Sequence, residues 1–409
     1  MAKINTHFQK LSAHYLFPRI EKQVSLLKEK RPEAELIDFG IGDVSEPLAE
    51  GLVKALCASA LEMGSKNTFK GYGPSQGYPF LREEIARHDY KGLGIHPDEI
   101  FISDGSKSDT ANIHELFDQS SIVALPDPAY PVYVDATVMA GRSMGATSSG
   151  TYEGIHYLSC TEKNGFMPSP PASHTDLIYL CSPNNPTGVA LPKELLQEWV
   201  RYAKKEKAVL LFDAAYEAYI SSDAPHSIYE IEGAKDVAIE FRSYSKSSGF
   251  TGLRCAFTVI PKTLLLDSHS LHALWKRRSD TKFNGVSYII QKAAAATYSS
   301  PCKEEIQAQI TSYKKRTSLL MQGLQSLGYT IYGGKDAPYI WCKAPMGLSS
   351  WAFFDLLLQE AHIIAIPGSG FGPCGEGYVR FAAFKEEKII EKSLKRFMNL
   401  SKKIENIQR

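Results

Sequence analysis

Lys246 stands in Ser243-Tyr-Ser-Lys246-Ser-Ser-Gly249-Phe-Thr-Gly252-Leu-Arg254, directly after an apolar run and among small hydroxyl residues and glycines. An amine that is partly desolvated or held near other cations loses its proton more easily, and it can then form an imine with an aldehyde. Ser243, Ser245 and Arg254 offer hydroxyls and a guanidinium suited to a phosphate dianion, and Gly249 and Gly252 let the backbone approach closely. Alone, the segment also reads as a surface loop of lysine and serine.

Other segments offer complementary groups. In Phe212-Asp213-Ala-Ala-Tyr216 a carboxylate ends an apolar run. A buried acid must be paired or functional, because an unpaired buried charge is costly. Asp213 alone reads first as a helix N-cap; beside a heteroaromatic ligand it would keep a ring nitrogen protonated. Tyr216 can donate to a phenolate oxygen, and so can the amide of Asn185 in Cys181-Ser-Pro-Asn184-Asn185-Pro186-Thr187-Gly188, a stretch that Pro and Gly make a rigid turn. Ser103-Asp104-Gly105-Ser106-Lys107 joins a strand pattern to a helix pattern, so its backbone N–H groups form a cradle for phosphate. Tyr130, in Asp127-Pro-Ala-Tyr130, offers a flat ring. Arg380, in Gly377-Tyr-Val-Arg380-Phe, is a lone cation in an apolar run and suits a bidentate carboxylate.

The elements that must position these groups are legible as alternation. Residues 99–103, 122–126, 176–181, 208–213, 237–243 and 255–260 read as short buried strands. Helical patterns lie between several of them, for instance residues 193–205 after Pro192. This predicts a mostly parallel sheet covered on both faces, with ligands at the carboxyl ends of its strands. After about Gly285 the pattern changes: a long helical stretch over 286–327, strands at 339–343 and 378–382, and helices near 349–361 and 385–403. The reading is an N-terminal arm over 1–12, a small α+β domain from 13–47 and 286–409, and a large α/β domain over 48–285, with 36–40 as a strand of the small domain.

The composition fits a globular chain of 409 residues with 44% hydrophobic and 22% charged positions. A formal net charge of +1 gives no field to gather nucleic acid or an anionic membrane. The 7 cysteines are scattered with no C-x-x-C pair, so neither a disulfide framework nor a zinc site is expected, and a reducing cytoplasm fits best. The first residues lack the apolar stretch of a signal peptide, and no run is long enough to cross a bilayer. Gly370-x-Gly372-x-x-Gly375 matches a dinucleotide fingerprint but precedes a strand pattern instead of a helix. His114-Glu115 lacks the second histidine of a zinc-protease motif, so no metal is expected.

Asn185, Asp213, Lys246, Arg254 and Arg380, in this order and spacing, resemble the fold-type I aminotransferases of class I/II over nearly the whole chain. That resemblance implies pyridoxal 5′-phosphate (PLP) as cofactor, a large domain built on a mostly parallel seven-stranded sheet, and a smaller α+β domain. Lys246 would carry the cofactor as a Schiff base and, with Asp213 and Tyr216, form the catalytic set. Ser106, Lys107, Tyr130, Asn185, Ser243, Ser245, Arg254 and Tyr72 would complete the cofactor site. Tyr15-Leu-Phe-Pro18, Gly40-Ile-Gly42-Asp43, Gly71-Tyr72-Gly73, Phe283-Asn284-Gly285 and Pro367-Gly-Ser-Gly-Phe-Gly-Pro373 are similar to the LL-diaminopimelate aminotransferase family within that superfamily. This likeness implies ping-pong exchange of an amino group between LL-2,6-diaminopimelate and 2-oxoglutarate, in lysine and peptidoglycan precursor synthesis. It implies substrate contacts at Tyr15, Gly42, Tyr72, Lys107, Tyr130, Asn185, Asn284 and Arg380. It also implies a homodimer, with Tyr72 and Asn284 reaching into the partner's site. One departure stands out: Ser75 occupies the position of a family glutamate directed at the distal end of the substrate, so relaxed donor selectivity is expected.

Overall fold

The computed structural model describes residues 1–11 and 16–408. Its centre is a seven-stranded sheet formed by Ile100–Ser103 (β1), Val123–Asp127 (β2), Ile155–Ser159 (β3), Leu177–Cys181 (β4), Val209–Asp213 (β5), Ala238–Ser243 (β6) and Ala256–Val259 (β7). The spatial order is β1-β7-β6-β5-β4-β2-β3. All pairings are parallel except those of β7, which runs antiparallel to both β1 and β6. The strand β3 was not legible in the sequence: only Ile155 and Leu158 of it are buried, so its run is broken by half-exposed His156 and Tyr157.

The central strands are apolar throughout because both faces of the sheet are covered. Ile178, Leu180, Leu210 and Phe212 enter one core, while Leu177, Tyr179, Val209 and Leu211 enter the other. The covering helices carry the matching stripe. In Lys193–Glu206 the buried residues are Leu196, Trp199, Val200 and Ala203, spaced to share one face. The helix begins after Pro192 and stops where Lys207 takes a left-handed conformation at φ 57°. Trp199→Ala in this packing would cost about 3–5 kcal/mol.

A second, four-stranded antiparallel sheet comprises Ile331–Gly333 (β8), Tyr339–Lys343 (β9), Ile366–Pro367 (β10) and Tyr378–Ala382 (β11), in the order β8-β9-β11-β10. Its core includes Phe39, Leu320, Leu324, Ile340, Phe381 and Phe397. The strand expected over 36–40 is the short pair Ile37–Asp38, lying parallel to Ile363–Ile364. In the N-terminal segment, Lys10 donates to the carbonyl of Ser143 at 2.5 Å, and Leu11 packs against the larger sheet's second core.

The single long helix expected after residue 286 is instead two, Tyr288–Ala296 and Ser300–Ser326. Pro301 explains the break. It cannot donate to the preceding turn, and it is tolerated where it stands, in the first turn of the second helix. Tyr288–Ala296, expected with the smaller domain, packs through Ala293 and Ala294 onto the larger sheet's core. Ser300–Ser326 spans both bodies, with Ile306 and Ile310 in one core and Leu320 and Leu324 in the other.

Candidate active site

The sheet gathers chemistry along one edge because its parallel strands all end there. Ser106 and Lys107 follow β1, Tyr130 follows β2, Asn185 follows β4, Asp213 ends β5 and Ser243 ends β6. The antiparallel β7 starts at that same edge, with Ala256 beside both Ser103 and Ser243, and so delivers Arg254 to it. From the smaller sheet, β11 contributes Arg380 and β9 contributes Tyr339. The result is a cavity of about 620 Å³ between the two sheets.

Lys246 lies at its centre, in the short helical turn Tyr244–Ser247, with Ser243 as N-cap accepting from Ser245 N at 3.1 Å. Its Nζ donates to the carbonyl of Gly42, and Tyr219 donates to the Lys246 carbonyl at 2.9 Å. Burial lowers the amine's pKa from 10.5 to about 8; Asp43 opposes the shift, and Arg380, Arg254 and Lys107 add to it. Among the described residues, Lys107, Lys246, Arg254 and Arg380 line the cavity with only Asp43 and Asp213 as carboxylates, so the space favours an anionic ligand.

Asp213 is buried and doubly held. Tyr133 donates to Oδ2 at 2.6 Å and the N–H of Ala215 donates to Oδ1 at 3.0 Å. Burial pushes its carboxyl pKa up, and these two donors pull it back. Tyr216 lies with its hydroxyl 2.5 Å from that of Tyr339. Arg380 donates from Nη1 to Asn185 Oδ1 at 2.7 Å and from Nη2 to the Gly40 carbonyl at 2.6 Å. Its Nε is buried without a partner, a donor left for a ligand.

Gly105 opens the helix Ser106–Asn112 at φ 149°. A Cβ there would lie 2.1 Å from Nη2 of Arg254, whose Nη1 donates to Ser245 Oγ at 3.3 Å. Bare backbone N–H groups, serine hydroxyls and a guanidinium thus converge in a space a side chain would fill, which fits a phosphate. Lys107 Nζ stands 6.0 Å from the Tyr130 ring centre.

The cavity therefore brings together Gly42, Ser106, Lys107, Tyr130, Asn185, Asp213, Tyr216, Ser243, Ser245, Lys246, Arg254 and Arg380. It does not bring in Tyr72, which is 93% exposed, or Asn284, also at the surface. Their loops meet each other: a Cβ on Gly285 would lie 2.7 Å from the Pro74 carbonyl. Tyr15 lies outside the described residues. Sequence reading missed Asp43, Tyr133, Thr251 and Tyr339 as lining residues. Tyr133 stands three residues after Tyr130, just past a segment already singled out, so position alone could have suggested it.

The profile of aminotransferase class I and II matches residues 34–396. The chain belongs to the class I and II aminotransferases. This aminotransferase is 51% identical over 390 residues to the LL-diaminopimelate aminotransferase of Methanosphaera stadtmanae, covering 93% of this chain and 95% of that one. It superposes on the L,L-diaminopimelate aminotransferase of Chlamydomonas reinhardtii with a TM-score of 0.92 at 43% identity, over 97% of this chain and 98% of that one. A substrate-bound BacF structure from Bacillus subtilis matches with a TM-score of 0.83 at 26% identity, over 98% of each chain. The class is one that uses PLP and acts on small amino and keto acids. Among the described residues no helix is long and apolar enough to cross a membrane, and no group of three His, Cys, Asp or Glu side chains could hold a metal ion.

Proposed function

We propose that this aminotransferase moves an amino group between LL-2,6-diaminopimelate and 2-oxoglutarate, interconverting them with tetrahydrodipicolinate and glutamate. The observation that carries the reading is the half-buried Lys246 amine, which shares one cavity with Arg254 and Arg380 and feels both their charges. The two diaminopimelate-specific relatives support the substrate assignment.

PLP would supply the aldehyde and the electron-accepting ring. Ser106, Lys107, Ser243, Ser245 and Arg254 would hold its phosphate, Asp213 its ring nitrogen, Asn185 and Tyr216 its phenolic oxygen, and Tyr130 one face. Lys246, whose amine loses its proton with a pKa of about 8, would attach the cofactor and, with its amine free, would move the proton at the substrate α-carbon. Arg380 takes the α-carboxylate through two parallel hydrogen bonds, with Nε one of its free donors. Gly42 leaves room beside the Tyr339 hydroxyl that a larger residue would fill.

The protein works as a homodimer in this reading. Tyr72 and Asn284 are exposed on loops that meet, which leaves them available to a partner's cavity as the family resemblance implies. The free state of all seven cysteines suits a reducing cytoplasm, and the product feeds lysine and peptidoglycan synthesis. The test is a coupled assay that follows glutamate formed from LL-diaminopimelate and 2-oxoglutarate. Turnover with other amino acids but none with LL-diaminopimelate would overturn the substrate assignment.

A further inference from the structure

Tyr339 begins β9 and is only 1% exposed, yet its side chain lines the cavity. Its hydroxyl lies 2.5 Å from that of Tyr216, and the two rings meet nearly edge-on, 5.0 Å apart at 70°. The guanidinium of Arg380 stands over its ring, 4.6 Å from the centroid, while Phe371 faces the same cation at 5.1 Å. Gly42 leaves it space, since a Cβ at that position would lie 2.3 Å from the Tyr339 hydroxyl. One phenol thus touches both the Tyr216 hydroxyl and the Arg380 cation.

We propose that Tyr339 is a positioning residue with two roles: its hydroxyl donates to Tyr216 and turns the Tyr216 proton toward the cofactor's phenolic oxygen, and its ring holds the plane of Arg380. This rests on the cofactor being held by Lys246. The direction follows from proton counting. Tyr216 has a single hydroxyl proton; if that proton goes to the cofactor, the Tyr216 oxygen must accept in the short bond, and Tyr339 supplies the donor. A cation over the Tyr339 ring stabilises charge on its oxygen and strengthens it as a donor. Buried hydroxyls in series polarise one another, so Tyr216 becomes the stronger donor in turn. A stronger Tyr216 bond draws charge from the phenolic oxygen, which then holds less tightly the proton it shares with the Lys246 nitrogen.

Two substitutions separate the roles. Tyr339→Phe keeps the ring and removes the hydroxyl; Tyr339→Leu removes both. In the PLP-loaded protein, Tyr339→Phe should raise the pH midpoint of the visible absorbance by about half a unit, with succinate affinity within about twofold of wild type. Tyr339→Leu should in addition weaken succinate binding by about 3- to 30-fold. Thermal melting of both variants establishes that they fold. An unchanged or lowered midpoint in Tyr339→Phe overturns the donor role, because Tyr216 would then be donating to Tyr339 in the wild type. Undiminished succinate affinity in Tyr339→Leu overturns the role of the ring. Borohydride fixation of the cofactor to Lys246, checked in the wild type and both variants, separates these outcomes from failure of the underlying cofactor assignment.

Discussion

The phenol of Tyr133 donates to Oδ2 of Asp213 at 2.6 Å, inside a core where Tyr133 itself stacks on Tyr179 with ring centres 4.8 Å apart. Burial raises the Asp213 pKa and this bond lowers it, so Tyr133 helps keep the carboxylate ionised. Ionised, Asp213 can hold a ring nitrogen in its protonated form. Asp213→Asn should leave cofactor bound and reduce kcat by at least about tenfold, since charge-assisted bonds contribute roughly 1.5–3 kcal/mol. Tyr133→Phe should cost less in rate, but it should shift the acid limb of the rate profile to higher pH, because an acid with a raised pKa protonates sooner on the way down. Steady-state kinetics against pH, at equal cofactor content, checks both. An acid limb that stays in place would remove Tyr133 from this role.

Lys246 gives a second pH signature. Its pKa is lowered from 10.5 to about 8, chiefly by burial, with Asp43 pulling the other way. In cofactor-free protein the rate of reductive alkylation at Lys246 by a small aldehyde should rise with pH and level off above about 8. Asp43→Asn removes a carboxylate that favours the charged amine, so the midpoint should fall further. Quantitative peptide mapping across pH reads both curves. A wild-type midpoint near that of an ordinary lysine would contradict the buried-amine picture.

Gly105 tests the phosphate cradle. Its φ of 149° is a region that side chains rarely adopt, and an added Cβ would sit 2.1 Å from Arg254 Nη2. Gly105→Ala should therefore displace Arg254 and raise the dissociation constant for PLP by at least about tenfold. Equilibrium titration of the apoprotein checks this; unchanged affinity would place the phosphate elsewhere.

Much of this site was legible because several functional residues end or follow a strand whose apolar run is unmistakable. Asp213 closes Val209–Asp213 and Lys246 comes just after Ala238–Ser243. What stayed hidden depends on contacts between distant segments. Tyr339 and Tyr216 meet across 123 positions of chain, and nothing in the local wording of Tyr339–Lys343 signals that contact. Ile155–Ser159 was hidden for a different reason: as the edge strand it buries little of its surface and loses the apolar pattern.

Ser75 illustrates the same limit. The sequence suggests a lost charge at this turn, yet the Ser75 hydroxyl donates to Oδ1 of Asp280, a carboxylate that also pairs with Lys276 at 2.8 Å. A carboxylate therefore remains at the corner that carries Tyr72 and Asn284, supplied from a different element and already paired with Lys276. Asp280→Asn should reduce the preference for LL-diaminopimelate over an amino acid without a distal ammonium by about tenfold. Competition kinetics with paired substrates measures this ratio. If Asp280→Asn leaves it unchanged while Ser75→Glu sharpens it, the charge at Asp280 does not reach the substrate and the selectivity is relaxed.

The most direct measurement is the position of the cofactor's covalent attachment. The protein is loaded with PLP, reduced with borohydride, digested and mapped by mass spectrometry. The account requires the reduced adduct on Lys246 alone, with none retained in Lys246→Ala and with transamination lost in that variant. An adduct on any other lysine, or undiminished transamination by Lys246→Ala, would contradict it.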